Sequence, residues 1–505
     1  MLPDLIEIVP LTAPVQAEVT VPGSKSITNR ALVLAALGDG TTTLQGALWS
    51  EDTQVMVECL HALGFEVTVA ADPDEFCNRT ITVQGRGGKI PKAGIAEKPL
   101  ELFVGNAGTA ARFLAAMVCL GEGVYRLHGV PRMHERPQAA LFQALRQLGY
   151  RIDSPNDKLP AVIHGGSSRG DEAHPENRRG NESLRTSAAT RSGARSCEVS
   201  IAHSSQFASA LLLSASVGDW DVRIVGENAE ESPYVVMTSE LIKVFPRGGG
   251  QFQIEPDASS GSYFWAVNFA AEGIESRFVV SGGKAEVARY FPPTEFKKGE
   301  RAIWAPWRYD VELLSGQYVV TDKTCVTVPH WPVSDWQIDA QFYLKYSSMP
   351  FVGSGLAGLS RNTDLGDSIM TAIVLAPFTF TAGRTVFFTE LGRLRVQECE
   401  RVVALRTELT KCGANVDEQG DTLIIKPSQL HGAEIETYND HRMAMCFAVV
   451  GLKVPGIKLK NPACVKKTFP NFFQKLASPP PHGLGVTILD GRSGRKLTMD
   501  ELFAA

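Results

Sequence analysis

The chain has 505 residues, of which 44 % are hydrophobic and 21 % are charged, with 50 Lys and Arg against 55 Asp and Glu. This composition is ordinary for a globular protein, and the length predicts at least two domains. A formal net charge of −5 excludes a global positive field that recruits nucleic acid, so any anion-binding site has to be local.

The nine cysteines are scattered and odd in number, which favours reduced thiols over a disulfide framework. No apolar run reaches the roughly 18 residues of a membrane span, and the N-terminus lacks the charged-then-apolar pattern of a signal peptide. We therefore expect a cytoplasmic protein that contacts neither membrane nor nucleic acid.

Strand-like and helix-like hydrophobic patterns interchange along the chain and predict an α/β fold throughout. The predicted strands are 17–21, 124–128, 199–202, 222–225 and 422–426. The predicted helices are 27–37, 109–120, 137–148, 207–216, 262–271, 396–412 and 442–452.

Three helical stretches end at a glycine and continue into a strand, at Gly64, Gly149 and Gly413. Glycine is favoured at the end of a helix because it adopts the left-handed conformation at little cost. These recurring junctions predict repeated αβ units.

Two segments depart from this pattern, and a third ends it. Residues 165–196 are rich in Arg, Ser, Gly and Glu and have no aromatic residue, which predicts a disordered surface insertion rather than a docking loop. Residues 284–360 are rich in aromatic residues and proline and are interpreted as an enlarged, folded insertion without an assigned function. The prolines at 479–481 predict the end of the core, so that 478–505 would form a C-terminal tail.

Several predicted helix starts combine small or hydroxyl residues with a cation. Residues 23–30 read Gly-Ser-Lys-Ser-Ile-Thr-Asn-Arg, and 105–112 read Gly-Asn-Ala-Gly-Thr-Ala-Ala-Arg. Similar patterns stand at 204–206 and 439–442. Free N–H groups and the positive end of the helix dipole make such starts good anion sites. The pattern indicates a cleft for highly charged small molecules, although capped helices with solvated cations would look the same.

The motifs of several common enzyme classes are missing from the sequence. Residues 105–112 do not continue into the Gly-Lys-Ser/Thr of a P-loop, and no Gly-x-Gly-x-x-Gly follows a strand. The sequence also lacks Cys-x-x-Cys and His-Glu-x-x-His. Redox and hydrolase chemistry are therefore disfavoured.

Several charged residues have two interpretations from sequence alone. Arg132 and Arg136 flank Glu135 before a predicted helix; their guanidinium groups suit a phosphate or carboxylate, or an ion pair with the glutamate. Glu398 and Arg401 follow Arg395 at helical spacing. These three residues could form a binding site or a solvated charged face of a helix.

Asp367 opens the apolar segment 368–377. An aspartate in this place is typical of a helix N-cap. A carboxylate that stays ionised among cations is the alternative, and such a group can serve as a general base.

Taken in order, these motifs resemble the 5-enolpyruvylshikimate-3-phosphate synthases, the 3-phosphoshikimate 1-carboxyvinyltransferase family. The resemblance extends from about residue 19 to 476. Its most specific parts are 22–26 with Asn29 and Arg30, 105–110, 132–137, 204–207, 257–260, 438–445 and 467–470.

The resemblance implies two globular domains, each of three βαβαββ units in an inverted α/β-barrel-like arrangement, with the substrates bound between them. The first domain would comprise 1–22 and 256–477 with the insertion 284–360. The second would comprise 23–255 with the insertion 165–196.

The family transfers the enolpyruvyl group of phosphoenolpyruvate to the 5-hydroxyl of shikimate 3-phosphate, without cofactor or metal, and a monomer is expected. Shikimate 3-phosphate would be bound by Lys25, Ser26, Arg30, Ser204, Ser205, Gln206 and Asp367. Phosphoenolpyruvate would be bound by Lys25, Gly108, Arg132, Gln206, Arg401, Arg442 and Lys467. Asp367 would accept the proton of the attacking hydroxyl, Lys25 and Glu398 would manage protons at the methylene carbon, and His441 would support them.

The chain departs from the family pattern at three places. Gln397 stands where the family usually has a lysine, which weakens binding of the acceptor unless Arg393 or Arg395 substitutes. Glu231 occupies a position where serine is common, and Phe113 replaces a common proline.

Two alternatives to this function are considered. The related transferase that acts on UDP-N-acetylglucosamine has Asn after the early Lys and a reactive Cys in its loop, whereas here Ser26 follows Lys25 and 105–112 has no Cys. A catalytically impaired homologue that acts as a binding protein is suggested by Gln397, Glu231 and the two insertions, and a phosphate-release assay would distinguish it.

Overall fold

The computed structural model describes residues 2–166, 195–202, 204–226, 232–271, 275–280, 309–314, 317–348, 357–378 and 385–504. Most of the predicted insertion 165–196, residues 284–308 of the second insertion, and Glu231 lie outside the described residues. The chain forms two compact units. The first consists of Met1–Ser24, Asp72–Asn78 and Glu255–Ala505, and the second of Lys25–Ala71 and Arg79–Ile254.

The secondary structure alternates between helices and strands, which confirms the predicted α/β class. The strands are β1 (Leu5–Ile8), β2 (Gln16–Glu18), β3 (Thr41–Leu48), β4 (Val67–Ala71), β5 (Asn78–Gln84), β6 (Leu100–Phe103), β7 (Gly123–His128), β8 (Arg151–Asp153), β9 (Ala161–Gly165), β10 (Arg195–Ser200), β11 (Trp220–Val225), β12 (Gly250–Gln253), β13 (Glu275–Val280), β14 (Tyr309–Leu314), β15 (Gln317–Lys323), β16 (Cys325–Thr327), β17 (Ala357–Ser360), β18 (Val386–Thr389), β19 (Asn415–Gln419), β20 (Thr422–Lys426), β21 (Glu434–Ile435), β22 (Ile457–Lys460) and β23 (Ile488–Asp490). The helices are α1 (Lys25–Leu37), α2 (Glu51–Ala62), α3 (Gly108–Met117), α4 (Pro131–Glu135), α5 (Ala139–Gln147), α6 (Ser205–Gly218), α7 (Ser232–Val244), α8 (Ala258–Ala270), α9 (Phe342–Ser348), α10 (Ile369–Leu375), α11 (Arg401–Lys411), α12 (His441–Gly451) and α13 (Phe472–Ala477).

Among the described residues, four sheets have four strands each. Their orders are β6-β7-β9-β8, β12-β3-β5-β4, β17-β18-β20-β19 and β21-β22-β1-β23. In the first and third, two parallel strands joined by a helix are followed by further helical structure and an antiparallel hairpin. Since parallel neighbours need a crossover while antiparallel ones need only a turn, this order follows from the chain running β-α-β-α-β-β.

The three predicted helix-to-strand junctions are confirmed. Gly64 and Gly149 each have φ +87°, and Gly413 has φ +93°. A side chain is strained in this left-handed region, so glycine ends each helix and the chain turns into β4, β8 and β19.

Polar side chains define the starts of the helices that carry predicted site residues. Ser204, Asp257 and Asp440 cap α6, α8 and α12, each accepting a backbone N–H of the first turn at 2.8–3.2 Å. The predicted helix 396–412 begins too early, because Glu400 caps α11 by accepting the Val403 N–H. Glu398 therefore lies just before this helix, in an irregular segment.

The prediction of a tail at 478–505 is wrong. Strand β23 pairs with β1, where Ile488 faces Ile8. Leu484, Val486 and Ile488 are buried in the core of the first unit. Their alternation with less buried residues is the period of a strand, which the proline-rich stretch before them obscured.

Part of the predicted insertion 284–360 also belongs to this core. Strand β16 pairs in parallel with β2, and Trp331 and Phe342 are buried core residues. The rings of Trp331 and Trp265 in α8 meet edge to face with centroids 5.6 Å apart. Residues 325–348 are thus built into the first unit rather than appended to it.

Replacing Ile488 by Ala should lower the free energy of unfolding by about 2–5 kcal/mol, because a fully buried aliphatic side chain is lost and a cavity remains. Arg492→Ala, four residues further on and exposed, is the control and should change stability by less than about 0.5 kcal/mol. Urea unfolding of both variants measures this. Equal stabilities would restore the interpretation of this segment as a tail.

Candidate active site

Asp367 lies at the centre of a buried cluster of charges in the first unit. Its Oδ1 accepts a hydrogen bond from Nη2 of Arg361 at 2.9 Å. Its Oδ2 lies 3.2 Å from Nη2 of Arg442 and 3.9 Å from Nη1 of Arg401. The N-cap position of α10 belongs to Ser368, so the interpretation of Asp367 as a simple N-cap is wrong. Its carboxylate faces three guanidinium groups instead.

These guanidinium groups decide the protonation state of Asp367. Burial alone would raise the pKa of this carboxyl, but Arg442, Arg361 and Arg401 outweigh burial and hold the pKa below its ordinary value of 3.8. Asp367 is therefore ionised at neutral pH and is a weak base while all three cations face it.

Arg401 is buried, and side chains of neighbouring residues accept its hydrogen bonds. Its Nε donates to Oδ2 of Asp440 at 2.7 Å, and its Nη2 donates to Oδ1 of Asp440 at 3.2 Å and to Oε2 of Glu398 at 2.8 Å. Its Nη1 donates to Oε1 of Gln397. The carboxylate and amide partners hold the guanidinium plane in place beside Asp367.

The sequence left open whether Arg395 replaces the cation missing at 397. Arg395 donates to Glu400, Glu418 and Asp421 at 2.6–2.9 Å, outside the Asp367 cluster. This network makes Arg395 a structural residue of the 392–421 region. The amide of Gln397 is instead a partner of Arg401.

Glu398 links two cations of the predicted site. Its Oε1 accepts from Nζ of Lys467 at 2.9 Å, and its Oε2 accepts from Arg401. The side chains of Glu398 and Lys467 are 15 % and 11 % exposed. The pair places a carboxylate and an ammonium group side by side, and Glu398 joins Lys467 to Arg401.

His441 and Arg442 occupy the first turn of α12. His441 is 2 % exposed, and its Nδ1 lies 3.8 Å from Oδ1 of Asp440. Asp440 accepts the Arg442 N–H and the Arg401 guanidinium together. One buried carboxylate thus positions two of the arginines that face Asp367.

In the second unit, Lys25 and Arg30 lie on the first two turns of α1. Nζ of Lys25 lies 3.2 Å from Oδ2 of Asp52. Arg30 is 2 % exposed and donates to the Ser26 carbonyl and to the hydroxyls of Ser209 and Thr238 at 2.8–3.0 Å. The interpretation of these residues as two solvated cations is therefore wrong for Arg30.

The start of α3 is crowded by two further arginines. A Cβ added to Gly108 would lie 2.4 Å from Nη1 of Arg112 and 2.7 Å from Nη2 of Arg136. Arg112 also donates to Oε1 of Gln206 at 3.2 Å, which links Gly108 to the start of α6. A side chain at 108 would have to displace these two guanidinium groups.

The remaining predicted residues of this unit are distributed as follows. Ser204 caps α6, and Ser205 is buried in its first turn. Arg132 is half exposed and pairs with Glu135 at 2.6 Å, which is the ion-pair alternative considered from sequence. Arg136, rather than Arg132, lies against Gly108 here.

Sequence reasoning missed several members of these clusters. Arg361 and Asp52 come from segments without a recognisable motif, and their pairing with Asp367 and Lys25 depends on the tertiary fold. Asp440 stands within the predicted anion motif 439–442. Its spacing before Arg442 identifies it as an N-cap, but not as a partner of Arg401.

In the described ranges, no three His, Cys, Asp or Glu side chains come together as they would around a metal ion. The expectation that the protein uses no metal stays a prediction. None of the helices in the same part of the chain combines the length and apolarity required to span a lipid bilayer.

The fold and these clusters define an α/β protein with a buried carboxylate among arginines. Residues 9–247 and 361–476 match the family model described as EPSP synthase (3-phosphoshikimate 1-carboxyvinyltransferase). The chain belongs to this family, which confirms the resemblance drawn from the motifs.

Relatives and solved structures agree with this membership. Proteins named 3-phosphoshikimate 1-carboxyvinyltransferase are 34 % identical in Trichormus variabilis (94 % of this chain, 98 % of that protein) and in Serratia proteamaculans (92 % and 96 %). The solved EPSP synthase of Acinetobacter baumannii matches with a TM-score of 0.59 and 19 % identity, over 96 % of this chain and 100 % of the other. At this identity the structural match shows the fold alone.

Replacing Arg361 by Gln should lower the free energy of unfolding at pH 7 by about 3–5 kcal/mol, because a buried carboxylate loses its closest cation. The folded pKa of Asp367 lies below its unfolded value near 3.8, so the stabilisation is complete above that value and is lost as the pH falls through the folded pKa. The deficit should therefore be constant from pH 7 to about 5 and shrink below about 4.

The control is Arg406→Gln, because Arg406 pairs with Glu418 at 3.0 Å but is 43 % exposed. Such a surface pair contributes about 0–1 kcal/mol. Denaturant unfolding at a series of pH values measures both variants. If Arg361→Gln and Arg406→Gln lower the free energy of unfolding by the same small amount, the charge balance described for Asp367 is contradicted.

Proposed function

We propose that this chain transfers the enolpyruvyl group of phosphoenolpyruvate to the 5-hydroxyl of shikimate 3-phosphate and releases phosphate. The observation that carries the proposal is the buried Asp367 with Arg361, Arg401 and Arg442 around it. Membership of the family and the names of the 34 % identical relatives support the same reaction.

Charge explains why the reaction needs these residues. Each substrate carries a phosphate and a carboxylate, so bringing the two together means overcoming their repulsion. Fixed cations offset that repulsion and hold the reacting atoms in line. Shikimate 3-phosphate is assigned to Lys25, Ser26, Arg30, Ser204, Ser205, Gln206 and Asp367. Phosphoenolpyruvate is assigned to Lys25, Gly108, Arg132, Gln206, Arg401, Arg442 and Lys467.

The proton steps are assigned to Asp367, Lys25, Glu398 and His441. The 5-hydroxyl oxygen adds to the enol carbon that bears the phosphate, and its proton passes to Asp367. The methylene carbon gains a proton in this addition and loses one as phosphate leaves, through Lys25 and Glu398 with support from His441. Atoms balance without a cofactor or metal.

Asp367 becomes a stronger base when the substrates bind. Its pKa is low only because guanidinium groups face it. When substrate phosphate and carboxylate groups pair with Arg442 and Arg401, less positive charge acts on Asp367, and its pKa rises. The carboxylate is thereby strengthened as a proton acceptor in the complex, where the hydroxyl proton has to be accepted.

Three further assignments complete the proposal. Each unit is built from three βαβαββ repeats, which the matching strand orders of the sheets β6-β7-β9-β8 and β17-β18-β20-β19 support. The protein acts in the cytoplasm; its nine cysteines, all in the described ranges, are free thiols, as that compartment favours. It acts as a monomer.

Mixing the protein with both substrates should release one phosphate per enolpyruvyl group transferred. Lys25→Met should reduce turnover by about 10³-fold or more, since one cation serves both substrates and the proton transfer. Lys89→Met, an exposed lysine of the same unit, is the control and should retain wild-type turnover. A phosphate-detection assay with product analysis measures all three proteins.

The outcome also separates the enzyme from a binding protein. If the wild-type chain binds shikimate 3-phosphate in calorimetry but releases no phosphate, the proposed reaction is wrong and the binding-protein alternative stands. Turnover by Lys25→Met near the wild-type rate would refute the role of Lys25 but would leave the proposed reaction standing.

A further inference from the structure

A short segment between the two ranges that match the family model lies against the Asp367 turn. Residues Ile338–Gln341 form a 3₁₀ turn. Nε1 of Trp331 donates to the Ala340 carbonyl at 2.9 Å and holds this turn against the core of the first unit. The segment belongs to the part of 284–360 that had no assigned function.

Asp339 makes the direct contact. It is 5 % exposed, and its Oδ1 accepts the backbone N–H of Ser368 at 2.5 Å. This N–H belongs to the residue that follows Asp367. The side chain of Asp339 thus bonds to the backbone that carries the proposed proton acceptor.

Gly366 shows how closely the two turns pack. Its φ is +56°, and an added Cβ would lie 2.6 Å from Cγ2 of Ile338 and 2.9 Å from Oδ2 of Asp339. Any side chain at 366 would force the turns apart. The backbone on both sides of Asp367 is therefore in contact with Ile338 and Asp339.

Gln337, two residues before Asp339, is held in place by hydrogen bonds of its own side chain. Its Oε1 accepts the Ala258 N–H at 3.0 Å, and its Nε2 donates to the Pro256 carbonyl at 2.9 Å. These bonds tie residue 337 to the first turn of α8, whose N-cap is Asp257. Asp339 is consequently held on a rigid support.

We propose that Asp339 is a positioning residue for the enolpyruvyl transfer: by accepting the Ser368 N–H it fixes the Gly366–Ser368 turn and aims Asp367 at the reacting hydroxyl. The inference rests on the proposed role of Asp367 as proton acceptor. Asp339 itself touches neither substrate in this assignment.

The charges around Asp339 agree with this role. Burial and then Asp367 raise the pKa of Asp339 to about 6, while Arg442 and the Ser368 N–H oppose the rise and Asp257 adds to it. A charged carboxylate acceptor costs electrostatic free energy when it lies next to another carboxylate. An asparagine would accept the same N–H without that cost, which provides a way to separate hydrogen bonding from charge.

The test compares Asp339→Ala with Asp339→Asn. The alanine variant loses the acceptor, and kcat should fall about 10- to 100-fold with KM for shikimate 3-phosphate nearly unchanged, because a misaimed base slows the chemical step. The asparagine variant keeps an acceptor and should recover most of kcat. Wild-type kcat in the alanine variant, or no recovery in the asparagine variant, would overturn the inference.

The control is Glu408→Gln, since Glu408 is a buried, hydrogen-bonded carboxylate of the same unit outside the Asp367 cluster. It should keep the wild-type kcat. Circular dichroism and binding of shikimate 3-phosphate establish that each variant is folded. Should the alanine variant not fold, Asp339→Val, whose side chain has no hydrogen-bond acceptor for the Ser368 N–H, replaces it with the same expected outcomes.

A double-mutant cycle separates positioning from general damage. If Asp339 acts through Asp367, Asp339→Ala should cause little further loss of kcat in an Asp367→Asn background, measured by single turnover. Additive losses would contradict positioning. Wild-type kcat in Asp367→Asn alone would refute the proposed role of Asp367, whereas an inactive Asp367→Asn with a fully active Asp339→Ala would refute only the present inference.

Discussion

The pairing of Asp367 with buried arginines is the interaction on which the first unit's site depends. Three guanidinium groups cannot be buried together unless carboxylates offset their charge. Asp367 offsets Arg361 and Arg442, and Asp440 offsets Arg401. Each carboxylate therefore has a structural consequence, because it holds buried cations in place.

In the proposed reaction, this arrangement couples substrate binding to the basicity of Asp367. Cations paired with protein carboxylates are already desolvated and oriented, so an incoming phosphate or carboxylate meets groups that need little reorganisation. When it pairs with them, the electrostatic attraction on the protein carboxylate weakens and its affinity for a proton grows. A site of this kind keeps its base weak until the anions arrive.

Local signals in the sequence were sufficient for much of the fold. The glycines at 64, 149 and 413 marked the helix ends because the left-handed conformation is a property of one residue and its neighbours. The start of α11 was missed, since its cap, Glu400, had to be distinguished from other acidic residues nearby. The strand at 488–490 was missed because a proline-rich stretch drew the boundary of the core too early.

The candidate site also contains residues that local sequence patterns identify and residues that only long-range packing identifies. Lys25, Glu398 and Arg442 stand in motifs, and their residue types could be read directly. Arg361, Asp52 and Asp339 could not, because each acquires its partner only when separate segments pack together. Asp339 is the clearest case: residue 339 and the Ser368 N–H meet only through a turn that Gln337 and Trp331 support from elsewhere in the unit. Sequence motifs identify the groups proposed to contact substrates, whereas the residues proposed to aim those groups emerge from the tertiary structure.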